Sequence, residues 1–292
     1  MQVILITGCS SGFGLATAVE LAAEGHTVYA SMRDTTKGEA LREAASARGA
    51  TLTIVQLDVD DSRSVERAVA EVLEREGRID VLVNNAGIAW LNAVEHISDA
   101  EAMATLNTNL LGVLRTQRAV LPAMRAQQRG LIINISSMAA KFAIPGVGMY
   151  GATKAALEAL SECLASEVYP YGVRVVLIQP GTFRTPILQK AIDAMPSDPA
   201  SPYAAPLRRV RMVFTKGLQA GPDPSRVAEV IAHVISLPEP KLRYAVGDDA
   251  VGMLAGRTRV SDEEFVALGR HESDEEYFAD LMRIPFAAET AK

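Results

Sequence analysis

The chain opens with Val3-Ile-Leu-Ile-Thr7, followed directly by Gly8-Cys-Ser-Ser-Gly12-Phe-Gly14. A short apolar run, a glycine-rich turn and a helix form the first unit of dinucleotide-binding folds. The glycines are spaced GxxxGxG rather than GxGxxG, but the physical requirement is the same. Glycine lets the backbone turn tightly and approach a pyrophosphate at the helix N-terminus. Three glycines by themselves indicate a structural strand-to-helix turn more often than a nucleotide site, but here they follow the first strand and open a helix, as the motif requires.

Short apolar segments and helical segments alternate along the chain that follows. The apolar segments show little alternation of apolar and polar residues, as expected for strands covered on both faces. Repeated strand–helix units predict an α/β fold with a parallel, doubly wound, Rossmann-like sheet of about seven strands and helices on both faces. The predicted strands are 3–7, 26–32, 51–57, 80–84, 131–136, 173–178 and 243–246, and the main predicted helices are 37–48, 62–76, 103–127, 149–169 and 224–237.

The regular alternation is lost after Gly181. Residues 186–218 contain several prolines and a mixed apolar and basic run, which predict a long irregular segment that serves as a substrate lid. The basic residues of this run are interpreted as a solvated helix face; they are Arg208, Arg209, Arg211 and Lys216.

The domain organisation predicted from these patterns is one Rossmann-like catalytic domain over residues 1–249, which includes the lid, and a helical extension over residues 250–292. In the extension, Ser261 and Ser273 each have a glutamate three residues later. This spacing predicts two capped surface helices.

Composition limits the classes of partner. The chain has 292 residues, of which 49% are hydrophobic, and a formal net charge of −6, which argues against nucleic acid or an anionic membrane as the main partner. No apolar run has the length of a membrane-spanning helix, and the N-terminus lacks a basic leader, so the cytoplasm is the expected location. Cys9 and Cys163 are interpreted as small buried residues, and the four scattered histidines predict no metal site.

The end of the second predicted strand bears on the choice of cofactor. An acidic residue there binds the ribose 2′-OH of NAD, whereas an arginine accommodates the 2′-phosphate of NADP. The chain has neutral Met32, then Arg33, whose guanidinium suits a phosphate, and then Asp34 as the counter-argument. NADP(H) is therefore favoured and NAD(H) stays possible. At the end of the third strand, Asp58, followed by Val59, is placed to meet the adenine amino group.

Tyr150 and Lys154 are four residues apart, and Ser137 lies thirteen residues before the tyrosine. A phenol and an ammonium at this spacing share one face of a helix. The pair has little specificity by itself, since many surface helices contain it. Its weight comes from the strand, glycine turn and helix at the start of the chain.

Together these motifs identify the chain as a member of the short-chain dehydrogenase/reductase family, in the branch with TGxxxGxG and YxxxK. The residues that carry the resemblance occur in order over about residues 1–185: Thr7–Gly14, Asn84-Asn-Ala-Gly87, Asn109-Leu-Leu-Gly112, Ser137, Tyr150, Lys154 and Pro180-Gly181. The segment around Arg33 looks most like that of NADP(H)-using hydroxysteroid and retinol dehydrogenases. The resemblance implies a homodimer or homotetramer that pairs through the helices at 103–127 and 149–169.

The resemblance also implies roles for individual residues. Asn109, Ser137, Tyr150 and Lys154 are the expected catalytic residues, preferred over the neighbouring Asn107 and Ser136 by the family's spacing. Asn85–Gly87 are expected beside the nicotinamide and Pro180–Thr185 at its carboxamide. The full set expected to bind the cofactor is Gly8, Ser10, Ser11, Gly12, Phe13, Gly14, Arg33, Asp58, Val59, Asn85, Ala86, Gly87, Tyr150, Lys154, Pro180, Gly181, Phe183 and Thr185.

The expected chemistry is hydride transfer coupled to a proton movement at the substrate oxygen. A free tyrosine has a pKa of about 10, and we expect Lys154 to lower the pKa of Tyr150. Tyr150 then serves as base in alcohol oxidation and as acid in ketone reduction, while Ser137 binds the substrate oxygen. Asn109 is expected to anchor water in a proton relay.

The substrate site is expected to include Ser137, Phe142, Met149, Tyr150 and Leu188. The Met, Phe, Ile, Leu and Val side chains of the loop after Ser137 and of the lid predict a lipophilic alcohol, ketone or aldehyde as the small-molecule substrate. One alternative is a reductase of 3-oxoacyl thioesters, in which Arg208, Arg209 and Arg211 would meet an anionic carrier arm. A second alternative, from another class, is a nucleotide-sensing protein without turnover.

Overall fold

A parallel sheet of seven strands lies at the centre of the computed structural model, which describes residues 1–286. The strands are β1 (Val3–Ile6), β2 (Thr27–Met32), β3 (Thr53–Gln56), β4 (Val81–Asn84), β5 (Gly130–Ile135), β6 (Val173–Pro180) and β7 (Arg243–Val246). Their order is β3-β2-β1-β4-β5-β6-β7, and every neighbouring pair is parallel. The predicted doubly wound α/β fold is confirmed. Because the strand order reverses at β1, a ligand crevice opens beyond the carboxyl ends of β1 and β4.

Helices cover both faces of the sheet and extend beyond it. They are α1 (Gly12–Ala23), α2 (Glu39–Ala47), α3 (Ser62–Glu76), α4 (Asp99–Leu106), α5 (Gly112–Ala126), α6 (Gly148–Val168), α7 (Pro186–Asp193), α8 (Ala204–Ala220), α9 (Ser225–Ser236), α10 (Asp248–Arg257), α11 (Asp262–Ala267) and α12 (Asp274–Leu281). One apolar core joins the sheet to α1, α2 and α9, and the other joins it to α3, α5 and α6. Two buried faces explain why the strand sequences are almost uniformly apolar.

The long helix predicted over residues 103–127 is a composite. It begins earlier, as α4, continues as a π-helix over Asn107–Leu111, and ends as α5. A π-helical turn widens the helix locally and often marks a functional position. The predicted catalytic residue Asn109 lies in this turn and is fully buried.

The lid is helical, so the prediction of an irregular segment over residues 186–218 is wrong. It contains α7 and α8, joined by residues 194–203. Pro186 is the first residue of α7 and Pro206 lies in the first turn of α8. Proline is tolerated there because the N–H groups of a first helical turn have no acceptor within the helix. These two prolines therefore mark where the helices begin, and the other three lie in the connection between them.

The basic run of the lid is not a solvated face either. Arg209 is only 3% exposed, and both Arg208 and Arg209 bond to the carboxylate of Asp274 in α12. Arg211 donates to the carbonyl oxygens of Ile192 and Met195 at the end of α7. Three of the four cations thus hold helices together. Lys216 is exposed as predicted, and Arg208 is also exposed although its guanidinium is paired with Asp274.

The two cysteines differ in exposure. Cys9 is buried, as predicted, whereas Cys163 is exposed on α6, so the prediction of a buried residue there is wrong. The error arose because a helical pattern does not show which face another element covers. None of the helices in residues 1–286 combines the length and the apolar character that crossing a bilayer requires. The same residues contain no group of three or more His, Cys, Asp or Glu side chains able to hold a metal ion.

A buried polar network crosses the sheet below the crevice. Asn134 of β5 donates from Nδ2 to Ser161 Oγ of α6 at 2.9 Å and accepts from Asn84 of β4 at 2.8 Å. Thr116 of α5 donates to Asn84 Oδ1 at 2.6 Å. Buried polar groups are costly when unpaired, so this network fixes the positions of α5 and α6 on the sheet.

We expect Asn134→Ala to lower the free energy of unfolding by roughly 2 to 3 kcal/mol, because it leaves the partners of Asn134 buried without a bond. Urea unfolding followed by circular dichroism measures this change. Gln189→Ala is the control, since Gln189 is exposed and its side-chain amide bonds Asp193 on the same helix. Equal stability losses in the two variants would contradict the structural role of the network.

Candidate active site

One large cavity opens at the carboxyl ends of the strands, with a volume of about 1990 Å³. Sites for single small ligands usually enclose about 300 to 1000 Å³. The cavity therefore has room for a dinucleotide together with a second molecule. Its wall includes the glycine turn, the ends of β2 and β3, residues 85–91, the loop after Ser137, and the two lid helices.

The glycine turn after β1 is shaped by contacts that a side chain would block. Gly8 has φ +74, and a Cβ atom there would lie 2.8 Å from Ala86 Cα. A Cβ atom on Gly14 would overlap Asn85 Nδ2 and the Gly8 carbonyl. Gly12, with φ +59, begins α1, so the amides of the first turn of α1 are directed at the cavity. This cradle fits a pyrophosphate. Gly14 itself is not among the described residues that line the cavity.

Asn85 fastens this turn to the end of β4. Its Nδ2 donates to the carbonyl oxygens of Thr7 and Gly8 at 2.8 and 3.0 Å, and its backbone N–H donates to Thr7 Oγ1 at 3.0 Å. The predicted cofactor residues of the two segments thereby form one surface. Those that line the cavity are Gly8, Ser10, Ser11, Gly12, Phe13, Asn85, Ala86 and Gly87.

The end of β2 presents two cations to the cavity. β2 ends at Met32 as predicted, and the exposed Arg33 follows it. Asp34 caps the next turn, where its Oδ1 accepts from the amide and the hydroxyl of Thr36, and these bonds hold the pKa of Asp34 below its usual range. Lys37, which the sequence reasoning missed, also lines the cavity and lies 3.7 Å from Asp34. Lys37 lies in the short 3₁₀ helix Thr35–Gly38 that follows the end of β2.

The end of β3 contributes Asp58 and Val59 to the cavity, as predicted. The Asp58 Oδ1 atom accepts from the Asp60 amide at 3.1 Å, which holds the loop in a turn. Val59 also contacts Gly112 at the start of α5, where a Cβ atom would lie 2.9 Å from Val59 Cβ. The adenosine side of the predicted site is therefore built by backbone loops at three strand ends.

Ser137, Tyr150 and Lys154 meet at the centre of the cavity wall. The Ser137 Oγ atom accepts from the Ala139 amide at 3.1 Å, and its side chain is hydrogen-bonded to Tyr150. Lys154 Nζ lies 5.7 Å from the centre of the Tyr150 ring and donates to the Ile135 carbonyl at 2.8 Å. Ser136, the alternative to Ser137, also lines the cavity, and its buried Oγ atom has no partner among the described residues.

The pKa of Tyr150 departs from the prediction. Desolvation by burial raises it, and the hydrogen bond with Ser137 opposes the rise only in part. Lys154 does not lower it, because the ammonium group is directed at the Ile135 carbonyl at the end of β5. Burial lowers the pKa of Lys154 itself to about 8. Both groups are thus displaced towards their neutral forms, as expected where little water solvates a charge.

Asn109 lies behind the cavity wall rather than in it. Its Oδ1 accepts from the Ile88 amide at 2.9 Å, and its Nδ2 donates to the Ile88 carbonyl at 2.9 Å and to Thr153 Oγ1 at 3.2 Å. Thr153 in turn donates to the Tyr150 carbonyl at 2.8 Å. In this structure Asn109 therefore connects the loop after β4 to the helix that bears Tyr150.

The loop after β6 closes the other side of the cavity. Pro180, Gly181, Phe183 and Thr185 all line it, as the resemblance implied. The Phe183 ring packs edge-on against Phe13 of the glycine turn, with centroids 5.3 Å apart. Asp249 of α10 accepts from the Thr182 amide at 2.7 Å and contacts Gly181, where a side chain would clash.

The predicted substrate residues divide into two groups. Ser137, Phe142, Tyr150 and Leu188 line the cavity, whereas Met149 is not among the described residues that do so. Met149 precedes Tyr150 on α6, and consecutive helical residues point about 100° apart. The sequence reasoning missed Trp90 and four residues from α10, α12 and the turn after it: Met253, Phe278, Leu281 and Met282. The serine caps predicted the helices of the extension but not the face that each presents.

The fold and this cavity define a nucleotide-binding oxidoreductase of the Rossmann type. A family model for short chain dehydrogenases matches residues 2–196. The 3-ketodihydrosphingosine reductase of Bacteroides thetaiotaomicron is 37% identical over 246 residues, which cover 84% of this chain and 88% of that protein. Human 17-beta-hydroxysteroid dehydrogenase type 1 is 35% identical over 273 residues, which cover 89% of this chain and 81% of that protein. A solved short-chain dehydrogenase from Streptomyces avermitilis has a TM-score of 0.78 at 37% identity and covers 93% of this chain and 98% of that chain.

The chain therefore belongs to the short-chain dehydrogenase family. It is an oxidoreductase that acts on CH–OH groups and binds NAD(P). The prediction of the family from the sequence motifs is confirmed.

We expect Gly8→Ala to weaken NADPH binding at least about tenfold, because a methyl group would press on Ala86 and the positive φ disfavours alanine. Fluorescence titration of the reduced nicotinamide measures the affinity. Gly25→Ala is the matched control, since Gly25 has φ +85 but no atom of residues 1–286 lies within 4 Å of the position that its Cβ would occupy. Similar losses of affinity in the two variants would show that backbone strain, not the contact with Ala86, is responsible.

Proposed function

We propose that this protein is an NADP(H)-dependent oxidoreductase that interconverts a secondary alcohol and a ketone, or a primary alcohol and an aldehyde, on a lipophilic substrate. The observation that carries the proposal is the meeting of Ser137, Tyr150 and Lys154 at the wall of a cavity large enough for two molecules. The catalytic unit is the segment 1–249, and the helical segments of 186–218 and 250–286 complete the substrate site.

The proposed chemistry divides between cofactor and protein. A nicotinamide bound beside residues 85–87 supplies or accepts the hydride. Ser137 donates a hydrogen bond to the substrate oxygen, and Tyr150 gives up or takes a proton at that atom. The Lys154 ammonium, which already bonds the Ile135 carbonyl, orients the cofactor's ribose. Asn109 acts through the backbone of Ile88 and through Thr153, so its role in this site is positioning.

The protonation state of Tyr150 favours the reductive direction. Because burial raises its pKa, the phenol stays protonated throughout the neutral pH range. A protonated phenol is ready to donate to the oxygen of a ketone as charge develops there. Alcohol oxidation needs the phenolate, which becomes more populated only as pH rises. We therefore propose ketone or aldehyde reduction as the favoured reaction near neutral pH.

The choice of NADP(H) rests on the charges at the end of β2. Arg33 and Lys37 both line the cavity and can surround a 2′-phosphate. The counter-argument, Asp34, is weakened because its carboxylate caps the following turn and lies near Lys37. Met32 at the strand end carries no charge to repel a phosphate.

A lipophilic substrate is supported by the side chains beyond the catalytic serine. Phe142, Ile144, Leu188 and Phe214 line the cavity around the point where a carbonyl would bind. Two of the relatives described above are named for a 3-ketodihydrosphingosine and a 17-beta-hydroxysteroid, which agrees with an apolar wall. The alternative of a 3-oxoacyl thioester is disfavoured, because Arg208, Arg209 and Arg211 are engaged in bonds within the protein. The alternative of a nucleotide sensor without turnover is disfavoured by membership of an oxidoreductase family.

Assembly and location are also proposals. We propose a homodimer or homotetramer that pairs through α4, α5 and α6, in keeping with the apolar or thiol side chains exposed there, Met103, Leu111 and Cys163. The proposed location is the cytoplasm, because two unpaired cysteines are compatible with a reducing compartment.

We expect Tyr150→Phe to lower kcat for ketone reduction by roughly a hundredfold to ten-thousandfold, because the proton donor is lost while the ring remains. NADPH affinity should stay within about twofold. Steady-state oxidation of NADPH with a steroid ketone and a long-chain ketone tests the rate. Tyr169→Phe, at an exposed tyrosine after α6, is the control and should keep full activity. An unchanged kcat in Tyr150→Phe would contradict the proposed mechanism.

We expect Arg33→Ala and Lys37→Ala each to weaken NADPH binding by roughly ten- to a hundredfold and to change NADH binding little. Both dissociation constants are measured by fluorescence titration at fixed ionic strength. Arg42→Ala is the control, since Arg42 is exposed on the neighbouring α2 and pairs with Glu39 outside the cavity. Equal losses for NADPH and NADH would mean that these cations do not recognise the 2′-phosphate.

A further inference from the structure

The C-terminal segment, residues 248–286, forms one side of the cavity. Phe278, Leu281 and Met282 at the end of α12 line it, as does Met253 of α10. Phe142, five residues after Ser137, packs in the same apolar cluster as Tyr277, Leu281 and Ile284. An apolar wall therefore continues from the loop of the catalytic serine to α12. None of the chemistry proposed above uses these residues.

A buried arginine fastens α12 to the lid. Arg209 of α8 donates to Asp274 Oδ1 at 2.8 Å and to the carbonyl oxygens of His271 and Glu272 at 2.8 and 3.0 Å. Its guanidinium also stacks over the Tyr277 ring, 4.8 Å from the centroid. Arg208 binds the same carboxylate with two bonds, and these contacts lower the pKa of Asp274 to about 2. The start of α12 is thus held by two cations of α8, one of them buried.

A glycine groove holds the other end of the segment. Gly252 and Gly256 lie one turn apart on α10, and the turn Ile284–Phe286 packs on them. A Cβ atom on Gly252 would lie 3.2 Å from Pro285 Cβ, and one on Gly256 would overlap the Ile284 carbonyl. Fixed at Asp274 and again at Ile284, α12 has little freedom to leave the cavity.

Two exposed methionines line the cavity, one on α8 and one directly after α12. Met212 on α8 is 46% exposed and Met282 after α12 is 55% exposed, although both line the cavity. Exposed methionines are adaptable contacts for apolar molecules of varied shape. Two cations of α8 near α12, Arg208 and Arg209, both pair with the carboxylate of Asp274.

We propose that α12 and Met282 form a preformed specificity wall, and that the substrate carries an extended apolar body that reaches from the reacting carbonyl at Tyr150 to Phe278 and Met282. Arg209 is the positioning residue of this wall. The inference rests on the proposed function. It adds that the substrate is long and that the residues of α12 select for its length. Small ketones bind the same catalytic groups but gain nothing from α12.

The test is a chain-length series of methyl ketones: butanone, octanone and undecanone. In the wild-type protein, kcat/KM should rise along the series, by up to about fourfold for each methylene that becomes buried. Phe278→Ala should lower kcat/KM for undecanone about tenfold and leave that for butanone within about twofold, because only the longer chain reaches α12. Phe286→Ala is the matched control, since Phe286 belongs to the same segment but is 82% exposed and outside the cavity.

A second pair of variants tests the clamp. Arg209→Met should reduce the preference for undecanone over butanone, because α12 loses its buried attachment to α8. Arg208→Met should reduce it less, since Arg208 is exposed and Arg209 still binds Asp274. NADPH affinity should be unchanged in both. The ratio of the two kcat/KM values is the diagnostic quantity, because a general loss of folded protein lowers both in proportion.

Ketone binding measured by Trp90 fluorescence distinguishes failure of this inference from failure of the proposed function. Trp90 is the only tryptophan of the chain and lines the cavity, so its fluorescence reports ketone binding without turnover. If the protein binds NADPH but reduces none of the ketones, the proposed function fails, and the same series is then measured as dissociation constants. Equal effects of Phe278→Ala on butanone and undecanone, in rate or in binding, would overturn the specificity wall.

Discussion

The close approach of two backbone segments, the turn after β1 and the loop after β4, is the constraint on which the rest of the site depends. Gly8 meets Ala86, and the Asn85 amide bonds the carbonyl oxygens at the end of β1. Neither contact tolerates a side chain on Gly8 or Gly14. Because β1 and β4 are the strands at which the sheet order reverses, this contact places the phosphate cradle and the nicotinamide side of the crevice on one surface.

The proton-transfer groups take their geometry from the same region. Gly87 follows Ala86 and lies between Asn109 and Lys154, with a Cβ position 3.3 Å from Asn109 Oδ1. Asn109 then bonds Thr153 on the helix that bears Tyr150. The position of the Tyr150 phenol relative to the loop after β4 is therefore fixed by these hydrogen bonds as well as by α6. The pKa of Tyr150 is raised because the phenol is buried and little water is present to solvate the phenolate.

The lid and the C-terminal segment show how a charged sequence becomes an apolar wall. Arg209 of α8 pairs with Asp274 at the start of α12, and Phe278 and Leu281 of the same helix line the cavity. Removing Asp274 would leave the buried Arg209 cation without its carboxylate, which is costly. The wall that Phe278 and Met282 form depends on residues far from the chemistry.

The sequence by itself determined the sheet, the glycine turn and the catalytic helix, because each depends on local periodicity and spacing. The seven parallel strands, the position of Met32 at the end of β2 and the shared face of Tyr150 and Lys154 all follow from patterns within short windows. The tertiary structure decided the features that no short stretch of sequence specifies. The proline-containing stretch after Gly181 forms α7 and α8. Met149 does not line the cavity, whereas residues of α12 do. These outcomes depend on which helix faces meet across long separations in the chain, and burial against a partner, not propensity, selects them.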